Sequence, residues 1–347
     1  MAIKNKIKIA MKSAIRAAGF ELKRLPKHRR PADRPKARAG DAKAIEYDTP
    51  LFASDQFRIE MTASCRDADN IPKVEDAGAV VIENGIPVQI MHNGVRVIAG
   101  GYPPGGWMME LIKRLRGHHE PQEEAVFHAV MKYMPSNATS LEFGGHWSYY
   151  SLWFLQGFAE TRRAFVIEPD PNNLSVGRQN AAINGCPIFF TQGFVGSKSE
   201  PQFHFTTETA GSIPLPMIRI PDFLERNQIE TLDLMHSDSQ GVEFEVLQTC
   251  EAFLRAGKIR FVIVSTHHQF YSGDPLTHQR CLHLLRHFGG RILAEHDVHE
   301  SFSGDGLIAA YFGRERIEWA DVPLSYNRYS TSLFRNPLFD LSLAQAI

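Results

Sequence analysis

From about residue 136 onward, short apolar runs alternate with longer stretches in which apolar residues recur every three or four positions. The runs at 138–143, 163–167, 188–191, 229–235, 259–264, 291–294 and 307–312 read as seven strands. Helical patterns follow the first run to about Gly157 and cover 170–184, 242–254 and 275–288, with Asp170-Pro171-Asn172-Asn173 as a cap. Strands alternating with helices predict an α/β fold, a mostly parallel seven-stranded sheet covered on both faces. The short connection between the last two runs predicts an antiparallel pair at the sheet edge. Residues 196–220 carry several prolines and read as loop.

The pattern before residue 118 differs. Ala79-Val80-Val81-Ile82 and Val88-Gln89-Ile90-Met91 flank Asn84-Gly85, a hairpin signal. His92-Asn93-Gly94 marks a second turn before Val95-Arg96-Val97-Ile98, and a Pro-Gly stretch from Gly100 to Gly106 reads as loop. This small β-rich region, 50–117, is expected to lie over the main domain and help form a substrate mouth. Trp107 to Leu115 reads as helix. Pro121 suits the first turn of another helix reaching about Met134, with Glu123 and Glu124 near the positive end of its dipole. Residues 1–25 carry an apolar stripe (Ile3, Ile7, Met11, Ile15) among lysines, and 26–49 read as a linker. The main domain is placed at 118–320 and a C-terminal extension at 321–347.

Charge sharpens this division. The 347-residue chain has a net charge of −1, but residues 1–38 hold thirteen Lys or Arg against Glu21 and Asp33. A tail of +11 therefore precedes a remainder of −12. A basic amphipathic helix predicts peripheral contact with an anionic membrane; a floppy tail, or a helix packing on a partner, is the alternative. Four widely spaced cysteines argue against a zinc ribbon or a disulfide scaffold. No apolar run approaches the ~18 residues of a membrane span, and the start lacks a secretory h-region. The expected location is the cytoplasm, at a membrane periphery.

The chemistry centres on Leu141-Glu142-Phe143-Gly144-Gly145-His146-Trp147-Ser148-Tyr149-Tyr150, a strand end, a glycine turn and a helix start. A second strand ends in Glu168-Pro169, where a carboxylate is placed to accept hydrogen bonds from ribose hydroxyls. The alternative is an ordinary βαβ crossover with a solvated glutamate. The turn is not G-x-G-x-x-G, and an acid beside it repels phosphate but suits a cation such as S-adenosylmethionine. Candidate cofactor contacts are Glu142, Gly144, Gly145, His146, Trp147, Glu168, Gln192 and Gly193. Asp238, His267 and His236 are the candidate catalytic groups, since a hydroxyl acceptor profits from a nearby base. A divalent metal on Asp238, His267, His268 and His299 is a weaker alternative, because fifteen histidines make some clustering expected by chance. The His118-His119-Glu120 and Glu123-Glu124 cluster lacks H-E-x-x-H spacing. No metal is assigned.

The succession resembles the FkbM-type methyltransferases. Leu141 to Tyr150 resembles that family's acid-x-Gly-Ala-Asn-x-Gly-Tyr-Tyr turn, and Val166 to Pro171 its Glu-Pro strand. Asp233-Leu234-Met235-His236-Ser237-Asp238-Ser239-Gln240-Gly241-Val242-Glu243 resembles its Asp-Leu-Leu-Lys-Ile-Asp-Val-Glu-Gly-Ala-Glu. The resemblance covers about residues 136–312. It implies a Rossmann-like methyltransferase fold using S-adenosylmethionine, with Glu142, Gly144 and Gly145 framing the methionine part, Glu168 on the ribose and Asp238 at the reaction centre. Three positions depart from the pattern: His146 for Asn, His236 for Lys and Gln240 for Glu. The implied acceptor is a hydroxyl on a saccharide, a glycolipid or another small molecule. Two rivals remain: a non-catalytic nucleoside-binding or scaffold module, and a nucleic-acid methyltransferase recruited by the basic tail. The second is disfavoured because the body has no basic patch interleaved with aromatics, so no nucleic-acid partner is expected.

Overall fold

The computed structural model describes residues 54–101 and 106–327. The proposed amphipathic helix 1–25, the linker and the chain after residue 327 lie outside the described residues. Helix α1 (Asp55–Ser64) starts at Ser54, whose hydroxyl accepts from Phe57 N. Strands β1 (Val80–Glu83) and β2 (Ile86–Ile90) pair through a turn in which Asn84 and Gly85 both take positive φ, 51° and 80°. That conformation is why Asn-Gly marks hairpins. β3 (Arg96–Ile98) adds to β2. Helices α2 (Trp107–Arg114) and α3 (Pro121–Met131) lead into the main sheet.

The main sheet contains β4 (Thr139–Phe143), β5 (Arg163–Glu168) and β6 (Ile188–Gln192), separated by α4 (Tyr149–Leu155) and α5 (Pro171–Asn184). Asp170 caps α5 by accepting from Asn172 N and Asn173 N, and Gly185 ends it at φ 61°. A short β7 (Phe194–Val195) and a hairpin, β8 (Glu200–Thr207) with β9 (Gly211–Ile218), occupy the region expected to be loop. Phe203 and Phe205 of β8 pair with Leu215 and Ile213 of β9 in an alternating apolar face, which Pro201, Pro214 and Pro216 disguise. After α6 (Ile220–Arg226) comes β10 (Leu232–Asp238), three residues later than the apolar run suggested. Ile229 is buried but belongs to the turn after α6, which Gln228 closes at φ 55°. Then follow α7 (Glu243–Thr249), α8 (Glu251–Arg255), β11 (Ile259–Thr266), α9 (Gln269–Ser272), α10 (Thr277–His287), β12 (Arg291–His296) and β13 (Gly306–Tyr311).

The seven strands run in the order β12-β13-β11-β10-β4-β5-β6. Pairing is parallel from β11 to β6, and β13 is antiparallel to both its neighbours. This is a Rossmann-like methyltransferase fold. Successive side chains face opposite layers: Leu234, Ile263 and Ala309 pack in one apolar cluster, Met235, Val264 and Ile308 in the other. Burying each large side chain is worth roughly 1.5–3 kcal/mol, which is why uninterrupted apolar runs mark these strands.

The accessory strands do not form a mouth. β3 lies along α5, where Asn180 Oδ1 accepts from Ile98 N at 2.8 Å and Asn184 Oδ1 from Arg96 N at 2.9 Å. β3 has two edges, one paired with β2, so its free backbone donors take the helix amides. What reaches the carboxyl edge of the sheet is α1: Thr62 Oγ1 donates to Phe302 O at 2.8 Å. Asn180 also donates to Trp147 O at 3.1 Å and is fully buried. Asn180→Ala should therefore strand a donor and an acceptor at once, costing about 2–3 kcal/mol. The urea-unfolding midpoint checks this; a loss under ~0.5 kcal/mol would mean the accessory strands are not held by this side chain.

Candidate active site

The glycine turn after β4 is set by one close approach. A Cβ on Gly144 would lie 1.5 Å from Asp238 O, and Gly144 sits at φ 70°. Only glycine lets the turn press against the end of β10. His146 and Ser148 also take positive φ, 42° and 64°. His, like Asn, tolerates that region better than most residues, which accounts for His146 standing where the resembled family has Asn. His146 N donates to Glu168 Oε2 at 2.8 Å, and Asp170 N to Glu168 Oε1 at 2.8 Å. The turn, the end of β5 and the cap of α5 are thus tied to one carboxylate.

These elements wall a cleft of about 130 Å³ at the carboxyl ends of β4, β5 and β10. Gly144, His146, Glu168 and Gly193 line it, as does Asp238, and Phe194 adds an apolar wall. The remaining expected contacts stand behind the wall. Gly145 packs on Val166, and Trp147 is buried beside His119 and Tyr149. Gln192 reaches Pro169 O at 3.4 Å. Glu142 accepts from Ser151 N at 3.0 Å and from the Ser151 hydroxyl, and burial raises its pKa.

The hairpin closes the cleft from above, a role invisible while that segment read as loop. Thr206, Thr207 and Glu208 line the cavity. Asp170 holds the tip by accepting from Thr209 N and Oγ1, each at 2.7 Å. Glu208 accepts from Gln240 at 3.0 Å and from Asn173 at 3.2 Å, bridging both sides of the opening. Four carboxylates (Glu168, Asp170, Glu208 and Asp238) therefore face a cavity in which His146 is the one basic lining group among the described residues. Burial lifts Glu168 to about 7, against its two backbone hydrogen bonds and with help from Glu208 and Asp170.

Next to the cleft, histidines and carboxylates pair in the interior. His236 Nε2 meets Glu123 Oε1 at 2.6 Å, and Glu123 Oε2 accepts from Ser265 Oγ at 2.7 Å. His236 is 3% exposed and does not line the cavity. Glu123 and Glu124 stand in the first turn of α3, as expected, and both are buried. Glu124 accepts from the His118 ring, from His119 N at 2.8 Å and from Glu120 N at 3.3 Å. Potential ligand atoms of His92, His118 and Glu124 lie within 4.8 Å of one another. The His92 and His118 rings, however, stack at 4.2 Å and 17°, so their in-plane lone pairs run side by side and do not converge on an ion. Together with Glu124 they brace the end of β2 against the start of α3.

His267 stands behind Asp238 and does not itself line the cavity, its side chain being 4% exposed. Its Nε2 is 3.0 Å from Asp238 Oδ1 and 3.6 Å from Asp305 Oδ1, and its Nδ1 is 2.5 Å from Glu243 Oε1. Asp238, with 41% of its side chain accessible, is the member open to the cleft. Burial works to raise its pKa, but the hydrogen bond and charge of His267 prevail and hold it below the usual aspartate range. His268 turns aside, its Nδ1 accepting from Phe270 N to start α9. His267 thus has both nitrogens against carboxylates, and the four groups considered for a metal do not share a focus.

Residues 137–292 match the model of the methyltransferase FkbM domain. The chain carries an FkbM methyltransferase domain. Its match takes in the glycine turn, Glu168 and the Asp238 segment. No curated protein matches the chain. Similar solved structures include a cofactor-bound protein from MTB (15% identity, TM-score 0.38, covering 56% of this chain and 80% of that one). M. capricolum TrmK in complex with S-adenosyl-homocysteine shares 14% identity, with TM-score 0.36 and coverage of 64% and 82%. A putative tRNA (m1A22) methyltransferase of Streptococcus pneumoniae with S-adenosyl-L-methionine shares 13%, with TM-score 0.35 and coverage of 57% and 76%. Likeness this remote says nothing about the acceptor of the FkbM domain.

The Gly144 contact yields a graded expectation. Gly144→Ala combines a left-handed backbone with a clash and should cost on the order of 2–4 kcal/mol. Gly185→Ala has similar φ but open space around its Cβ, and should cost about 1 kcal/mol. Urea unfolding of both variants checks the order; equal losses would mean that the approach to Asp238 is not a constraint.

Proposed function

We propose that the FkbM domain of this chain is an S-adenosylmethionine-dependent methyltransferase acting on a hydroxyl oxygen. The observation that carries this reading is the composition of the cleft. A buried carboxylate at the end of β5 is positioned for a ribose. Each Glu168 oxygen accepts one backbone N–H and keeps a lone pair for a hydroxyl. Phe194 supplies an apolar surface for a base. Four carboxylates against one histidine favour a cation and repel a phosphate. S-adenosylmethionine, when bound, would supply a methyl group activated by its sulfonium, with a neutral thioether as the leaving group.

The chain's own groups then have limited tasks. Glu168, His146 and Gly193 hold the nucleoside, and the hairpin tip narrows the opening. Alignment of acceptor and methyl group contributes up to about 7–11 kcal/mol. Asp238, ionised and open to the cleft, receives the proton that the acceptor hydroxyl gives up. His236 is proposed to act only by orienting α3 against β10. The acceptor is proposed to be a hydroxyl on a saccharide, a glycolipid or another small molecule. The basic stretch 1–25 is proposed to bring the domain to an anionic membrane where such acceptors are presented.

Calorimetry with S-adenosylmethionine tests the reading. The intact protein should bind in the micromolar range, about −8 kcal/mol, and Glu168→Ala should bind at least about tenfold more weakly. Because Glu168 titrates near 7, its carboxylate is protonated below that value and accepts poorly, so affinity should rise as pH increases from 6 to 8. Glu168→Gln should flatten that dependence. If the intact protein ignores the cofactor, the scaffold reading takes its place.

A further inference from the structure

Glu243 lies outside the cavity wall, yet its placement bears on Asp238. It is the first residue of α7, fully buried, and its Oε1 accepts from Gly241 N at 2.8 Å while meeting His267 Nδ1 at 2.5 Å. Its Oε2 has no hydrogen-bond partner. A buried carboxylate is costly unless a positive or donating group faces it, and the partner at hand is the His267 ring. On the ring's other side stands Asp238 at 3.0 Å. We propose that Glu243 is a positioning residue that keeps His267 as a doubly protonated imidazolium, so that Nε2–H fixes Asp238 as the ionised proton acceptor of methyl transfer. This rests on the methyltransferase reading above.

The order along the line is carboxylate, imidazolium, carboxylate. Nδ1–H donates to Glu243 and Nε2–H to Asp238. As the acceptor oxygen bonds the methyl carbon and the carbon–sulfur bond breaks, the hydroxyl proton passes to the Asp238 carboxylate and from there to solvent. The sulfonium leaves as a neutral thioether, so no other reactant is required. The oxygen becomes strongly acidic as the new bond forms, which is why a carboxylate with a low pKa suffices.

Every charged group facing His267 favours this state. Glu243 comes from α7, Asp238 from β10 and Asp305 from the connection between β12 and β13. Tyr271 sets its ring edge-on at 5.8 Å, and Arg58 of α1 faces Asp305 and Tyr271. Burial works against the imidazolium, but Asp305, Glu243 and Asp238 outweigh it and hold His267 well above the ordinary histidine range. Asp305 is itself lifted to about 6, by burial first and then by Asp238 and Glu123. Asp305 also stands farther from Nε2, at 3.6 Å against 3.0 Å for Asp238, so the hydrogen bond falls to Asp238.

The test is a nuclear-magnetic-resonance titration of ¹⁵N-histidine and ¹³C-aspartate in the full chain, comparing the unaltered protein with Glu243→Gln. Gln keeps the volume and the acceptor but not the charge. The unaltered protein should show both His267 ring nitrogens protonated through pH 8. In Glu243→Gln the His267 midpoint should fall by about one to three pH units, and the Asp238 midpoint should rise. A merely structural brace would leave Asp238 unmoved. Unchanged midpoints at both residues, or His267 titrating near 6.5 in the unaltered protein, overturn the proposal. Calorimetry with S-adenosylmethionine on the same samples separates the two claims. Loss of binding to the unaltered protein refutes the cofactor reading, whereas unmoved midpoints with binding intact refute the relay.

Discussion

The contact between Gly144 and the carbonyl of Asp238 is the constraint on which the site depends. It brings the turn after β4 against the end of β10, two strands that already pair in register from Ser140 to Phe143. With the backbones in contact there, the cavity cannot extend straight outward between the two strands. It opens instead over the turn, toward β5 and its terminal Glu168. The Asp238 side chain is left at the cavity's inner corner, half exposed, where the rest of the strand end is buried. One missing Cβ thus decides both where a ligand can lie and which carboxylate meets it.

The second governing condition is that carboxylates at the carboxyl edge are too crowded to be solvated separately. Glu120, Glu123, Glu124, Glu142, Glu243 and Asp305 all lie close to the interior. An isolated buried carboxylate would take up a proton, because desolvation outweighs most compensation. Histidine supplies the compensation because it donates through two nitrogens and bridges two acids. His267 does so between Glu243 and Asp238, whereas His236 bonds Glu123 through Nε2 and turns Nδ1 toward Glu142 at 3.9 Å, beyond hydrogen-bond reach. The replacement of Lys by His at position 236 fits this architecture. A flat ring packed among Phe127 and Tyr150 donates to Glu123 without the long flexible stem that a lysine would have to order.

How much of this was legible in the sequence follows from the range of the interactions involved. The seven strands were readable as apolar runs because the five inner ones are buried on both faces and the edge strands β6 and β12 are still partly covered. The cap of α5 was readable because Asp170-Pro171 acts over three residues. The hairpin at 200–218 was not, since Pro214 and Pro216 stand between Ile213, Leu215 and Met217 and make an alternating strand read as loop. Nor were the acid–histidine pairs. Glu123 and His236 are 113 residues apart and Glu123 and Ser265 are 142 apart, and no local pattern encodes such a pairing. Glu123 looked like a helix-dipole acid because its position in α3 suffices to explain it. Glu243 was visible as a residue of the Asp238 segment, but its task depends on the ring of His267, which arrives from the next strand.

The same logic of range separates two parts of the carboxyl edge. The cleft at Glu168 is built by elements that follow one another in sequence: the turn after β4, the end of β5 and the hairpin that follows β6. The connection between β12 and β13 draws on distant segments. Thr62 of α1 donates to Phe302 O, Gln122 of α3 accepts from Phe302 N at 2.9 Å, and Asn327 donates to Ser301 O at 2.9 Å. The connection that carries Asp305 is thus pinned from three sides by parts of the chain outside residues 137–292. A connection of that kind can change without disturbing the turn, Glu168 or Asp238, so the cleft within residues 137–292 and the segments that flank it are held by separate sets of contacts.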